Sequence, residues 1–85
     1  MRSAFSHEYS IFLDALIAAR KNSEVTQQAL AKRLRKPQSF ISKYERGERR
    51  LDVAEFLGIA RELGVDPHKL LRKVDALISR KGLGS

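Results

Sequence analysis

The 85-residue sequence contains no cysteine, no tryptophan and only two prolines. Without cysteine there is no disulfide framework and no thiolate metal site. No apolar run approaches the ~20 residues that a membrane-spanning helix needs. The N-terminus lacks the charged-then-apolar layout of a secretory signal, which predicts a cytoplasmic protein with no membrane partner. Also missing are a glycine-rich phosphate loop and any Ser-His-Asp arrangement. The only histidines, His7 and His68, have no partner at metal-ligand spacing and read as surface residues. A chain this short buries only about 60–65% of its unfolded surface, which leaves little core around a deep pocket. These absences argue against an enzyme, and no cofactor or small-molecule ligand is evident.

What is present is charge of one sign, concentrated. The net charge is +7, against a globular balance of 42% apolar and 32% charged residues. Residues 32–50 hold Lys32, Arg33, Arg35, Lys36, Lys43, Arg46, Arg49 and Arg50 against Glu45 and Glu48, so six of the seven net charges fall in nineteen residues. Such a patch favours a polyanion, although a solvated basic face is the plainer explanation of any Lys/Arg run.

Apolar residues recur at three and four, never in strict alternation, so the chain is read as all-α, a compact five-helix bundle. Residues 1–80 form one domain, with 81–85 as a flexible tail. Ser6 is positioned to cap a first helix whose stripe is Tyr9, Phe12, Leu13, Leu16 and Ile17, and Arg20 and Lys21 close it where positive charge suits the helix dipole. Thr26 caps a short second helix from Gln27 to about Leu34, with Ala29, Leu30, Ala31 and Leu34 inward. Pro37 interrupts it and fits the first turn of a third helix that ends at Gly47. Phe40, Ile41 and Tyr44 share one face of that third helix. Asp52 and Glu55 have capping-box spacing ahead of a fourth helix carrying Val53, Phe56, Leu57, Ala60 and Leu63, which stops at Gly64. Asp66 caps a fifth, with Pro67 at its first position and Leu70, Leu71, Val74, Leu77 and Ile78 as its stripe.

Two short helices joined by a tight turn form the core of a helix-turn-helix. The close crossing wants a small residue, here Ala31, and the second helix wants apolar anchors inward and polar side chains that reach base edges outward. The run Thr26-Gln27-Gln28-Ala29-Leu30-Ala31, followed by Ile41-Ser42-Lys43-Tyr44-Glu45-Arg46-Gly47, resembles the Cro/CI-type (XRE) helix-turn-helix family, and the likeness extends over roughly residues 8–72. The family has Gly in the turn where this chain has Arg35.

The resemblance implies a lambda-repressor-like DNA-binding domain and a sequence-specific transcriptional regulator of double-stranded DNA. The third helix then enters the major groove, with Gln38, Ser39 and Lys43 at base edges and Ser42 and Pro37 adjacent. Gln suits adenine and Lys suits guanine. Ordinary helix-start chemistry is the competing explanation for Gln38 and Ser39, as is phosphate contact for Lys43. Gln27, at the N-terminus of the first motif helix, is implied to clamp a phosphate. Lys36, Arg46, Arg49 and Arg50 are candidate backbone contacts or simply solvated. Glu45 is implied to be structural and paired with an arginine, Arg33 being one possibility. Such proteins usually bind palindromic operators as homodimers. Leu70 and Leu71 are then expected to finish the core, while Val74, Leu77 and Ile78 either pack on a twofold mate or fold back on the first helix. An antitoxin that binds a protein partner as well as DNA is the alternative function, and a non-specific nucleic-acid coat fits the motif less well.

Overall fold

The computed structural model describes residues 6–80, so the tail expected at 81–85 and residues 1–5 lie outside the described residues. Five helices follow one another: α1 (His7–Asn22), α2 (Gln27–Leu34), α3 (Gln38–Glu45), α4 (Val53–Leu63) and α5 (Pro67–Arg80). No strand occurs among the described residues.

The caps explain the starts. The Ser6 hydroxyl accepts from the Tyr9 N–H at 3.1 Å and that of Thr26 from the Ala29 N–H at 3.0 Å. Asp52 and Glu55 exchange both bonds of a capping box, at 2.7 and 2.9 Å. The Asp66 carboxylate accepts from the His68 N–H at 2.9 Å and puts Pro67 first in α5. Pro37 is the N-cap of α3, which starts at Gln38 as expected.

The four internal ends share one device. The chain turns into the left-handed region just past each helix, and two backbone N–H groups reach back to otherwise unpaired carbonyls. Gly47 (φ 77°) and Gly64 (φ 71°) do this after α3 and α4. Glu24 and Arg35, both at φ 58°, do it after α1 and α2. At Arg35 the N–H reaches Lys32 O at 3.1 Å, and the Lys36 N–H reaches Ala31 O at 3.0 Å. The turn between the two motif helices therefore keeps the geometry a glycine would give it, with strain on an arginine. A left-handed non-glycine residue costs about 1–2 kcal/mol, and glycine's greater freedom in the unfolded chain offsets part of the relief. Arg35→Gly is accordingly expected to raise stability by up to about 1 kcal/mol, read as a higher urea midpoint.

The core is a single cluster. Leu13 and Leu16 of α1, Leu30 of α2, Ile41 and Tyr44 of α3 and Ile59 of α4 are fully buried. The helix-turn-helix pair packs through Ala31, Phe40 and Ile41, while α4 closes its underside with Phe56, Ile59 and Leu63. The helix α5 lies mainly along α1. Tyr9 ties the loop before α4 to α1, its hydroxyl accepting from the Leu51 N–H at 3.0 Å.

Two expectations are overturned. In α4 the inner stripe is Phe56, Ile59, Ala60 and Leu63, so Val53 (75% exposed) and Leu57 (41%) face outward. The helix is apolar on most sides, and its phase is set by packing. Leu71, expected in the core, is 45% exposed, because α5 buries Val74 and turns Leu70 only partly toward the bundle. Arg20 closes α1 together with Lys21 as expected, and it is also buried, for the reason given next.

Candidate nucleic-acid interface

The inner side of α3 is fixed by an unusual amount of polar chemistry for so small a domain. Glu45, one helical turn beyond Ile41, is buried with it. Its carboxylate accepts two bonds from the Arg20 guanidinium, at 2.7 and 3.1 Å, and one from the Gln27 side-chain amide at 2.9 Å. Arg20 donates further to Val25 O at 2.9 Å. One carboxylate thus joins the end of α1, the loop after it, the start of α2 and the end of α3. Arg33, the suggested partner, instead donates to Glu62 O at 2.9 Å on the far side of α2. Arg20 was visible as a candidate in one respect. It continues the spacing of Leu13 and Leu16, so the buried stripe runs through it.

With its inner side held, α3 presents a polar strip outward. Gln38, Ser39 and Lys43 are exposed, and Ser42 is half-buried with its hydroxyl donating to Ser39 O at 3.3 Å. Gln38 and Ser42, like Ser39 and Lys43, are four apart, so the four candidates form one contiguous patch at the first two turns of the helix. Lys43 makes no ion pair with another described residue.

The surrounding cations differ among themselves. Lys36 lies over the Phe40 ring, its ammonium 5.2 Å from the centroid, and the Arg50 guanidinium lies 4.4 Å from the Tyr9 ring centroid. Arg46 pairs with Glu48 at 2.8 Å, but both side chains are more than half exposed. Such a pair contributes little and is easily exchanged for another anion. Arg49 is held more firmly. It meets the Glu55 carboxylate at 2.6 and 3.0 Å, donates to Arg50 O at 2.9 Å and stacks 4.7 Å from the Phe40 centroid. Sequence reading missed this clasp because nothing in the spacing distinguishes Arg49 from Arg50.

The Arg49 guanidinium, helped by the Asp52 N–H, holds the Glu55 carboxyl down at about 2. A carboxyl lowered in the folded state contributes stability that is complete above its unfolded value of about 4.3 and is lost as pH falls through its folded one. The urea midpoint is therefore expected to drop between roughly pH 4.5 and 2, and Glu55→Gln to remove that part of the drop.

On α5, Val74 is buried within the chain itself (6% exposed), while Leu77 and Ile78 are half-buried. Leu77 borders a groove against Ile11, Ala15 and Ala18 of α1. Val53, Leu57 and Leu71 border a second apolar groove of about 180 Å³, floored by Phe12 and Phe56. No group of three or more metal-ligating side chains occurs among the described residues, and no helix among them is long and apolar enough to cross a membrane.

An interlocked helix pair with a cationic, polar outer strip is a helix-turn-helix DNA-binding domain. Residues 16–70 match the helix-turn-helix family model. Among solved structures the chain is similar to the XRE-family like protein from Pseudomonas syringae pv. tomato str. DC3000, with 50% identity and a TM-score of 0.79 over 82% of this chain and 85% of that one. No curated protein matches it significantly. The chain belongs to the XRE family of helix-turn-helix proteins, which are DNA-binding regulators rather than enzymes.

Proposed function

We propose that this protein is a sequence-specific transcriptional repressor or controller that binds a palindromic operator, near its own gene, as a homodimer. The observation that carries this is the division of α3 into a buried inner side and a contiguous outer strip of Gln38, Ser39, Ser42 and Lys43. A helix held on one side and polar on the other is suited to lie in the major groove, where Gln38 reads adenine and Lys43 reads guanine. Lys36, Arg46 and Arg50 meet phosphates on either side. Gln27 does so through its remaining amide hydrogen and the open N–H groups at the start of α2.

The dimer face we assign is the outer side of α5. Leu77 and Ile78 lie toward its end, and Leu71, seven residues before Ile78 and on the same face, extends the apolar surface to Leu57 and Val53. Leu71→Glu combined with Ile78→Glu is expected to leave the fold intact and yield a monomer by sedimentation, with cooperative operator binding lost. A protein partner on this surface, as in an antitoxin, is the second reading, favoured by the same exposed residues. A native chain that is monomeric alone and purifies with a small partner supports that reading against the homodimer.

Hydroxyl-radical footprinting on the DNA upstream of the protein's own coding sequence tests the whole assignment. The expected result is two protected patches on one face of the duplex, about 10–10.5 base pairs apart. Uniform weak protection along the fragment contradicts it.

A further inference from the structure

Beside the recognition strip, the charge of Arg49 is matched by a carboxylate that is itself fixed. Glu55 accepts from both terminal nitrogens of Arg49, and its Oε1 also accepts from the Asp52 N–H at 2.9 Å, so the acid is anchored in the first turn of α4. The guanidinium so held covers the ring of Phe40, the third residue of α3. Phe40 is 9% exposed, packs edge-on against Tyr44 with centroids 5.7 Å apart, and lies within 5.2 Å of the Lys36 ammonium in the turn before α3. Phe40 is thus contacted by Lys36 from the α2–α3 turn and by Arg49 from the loop before α4. Gln38 and Ser39, the candidate base readers, immediately precede it in the same turn.

We propose that Arg49 is a positioning residue for the recognition helix and not a phosphate contact. With Glu55 it forms a clasp from α4 onto Phe40 that fixes the first turn of α3, and so the aim of Gln38 and Ser39. To reach a phosphate, Arg49 must give up a bidentate carboxylate, a backbone carbonyl and a ring face. It also leaves the Glu55 charge facing the same polyanion. A bidentate guanidinium is hard to replace, because lysine keeps the charge but not the fork. The clasp gives Glu55 a role opposite in sign to its charge, since an acid beside DNA here favours specific binding. This inference rests on α3 being the DNA-reading helix, as proposed above.

Three variants, Glu55→Gln, Arg49→Lys and Arg49→Gln, are compared with the native chain. Each is titrated against the selected operator and against a scrambled duplex, over a salt series, after thermal melts confirm folding. Positioning predicts that all three lose roughly tenfold in operator affinity, about the effect of one mismatched base pair. Scrambled-duplex affinity is expected to hold or rise for Glu55→Gln, and the salt slope to stay unchanged for Arg49→Gln. A phosphate contact predicts the reverse: tighter binding for Glu55→Gln, near-native behaviour for Arg49→Lys, and a slope about one unit shallower for Arg49→Gln on both duplexes. That second pattern overturns the proposal while leaving the DNA-reading assignment standing. A native chain that prefers no duplex defeats the assignment itself.

Discussion

Glu45→Ala is expected to lower folding stability by about 3–5 kcal/mol. The substitution removes the acceptor of two Arg20 bonds and one Gln27 bond in a place closed to water. The Arg20 side chain is only 10% exposed, so its charge is left buried without a partner. Breaking a buried pair from one side costs far more than the pair contributes net, because the stranded ion keeps its desolvation penalty. A domain of this size has a total stability on the order of 5–10 kcal/mol, so the variant should sit near the edge of unfolding at room temperature. Equilibrium urea denaturation reads this directly. Replacing both partners, as in Arg20→Met with Glu45→Leu, should recover most of the loss, since an apolar pair of similar volume strands no charge. A single variant that loses less than about 1 kcal/mol would show that water reaches the site and that the network does not hold α3.

The second large effect is on recognition. Lys43→Ala and Gln38→Ala are each expected to weaken operator binding by about 1–3 kcal/mol and to relax the base preference at one position of each half-site. Both side chains are exposed in the free protein and neither is part of the core, so folding stability should change little. Lys36→Ala and Arg50→Ala should instead weaken all sequences alike and flatten the salt dependence. Measuring each variant against a panel of single-base operator changes separates the two groups. Identical profiles would mean that α3 does not read bases through these residues.

Much of this was legible in the sequence, because local chemistry decided it. Ser6, Thr26, Asp52 and Asp66 start helices in the structure as their side chains predict, and Gly47 and Gly64 end two of them. The same terminating turn at Glu24 was not legible, since Glu does not favour positive φ, and at Arg35 only the family's glycine at that place pointed to it. The division of α3 followed from periodicity. Its electrostatic lock did not, because Arg20 and Glu45 are 25 residues apart and choose each other only through the tertiary fold. Val53 and Leu57 show the limit of hydrophobic patterning. In a helix with apolar residues on most sides, several phases bury equal numbers of them, and only the neighbouring helices select one. The role of Arg49 was hidden for the same reason. Arg49 and Arg50 are chemically identical in sequence, and only the tertiary fold brings Arg49 to the fixed carboxylate of Glu55.

The most direct test of the central claim is selection of duplexes from a random pool by the native protein, at near-physiological salt, followed by sequencing. If the outer strip of α3 reads the major groove, the pool should converge on an inverted repeat whose half-sites lie one helical turn apart. Lys43→Ala should then lose the preference at a single base pair of each half. A pool that stays random after repeated rounds, while the protein still retains DNA, would contradict the account.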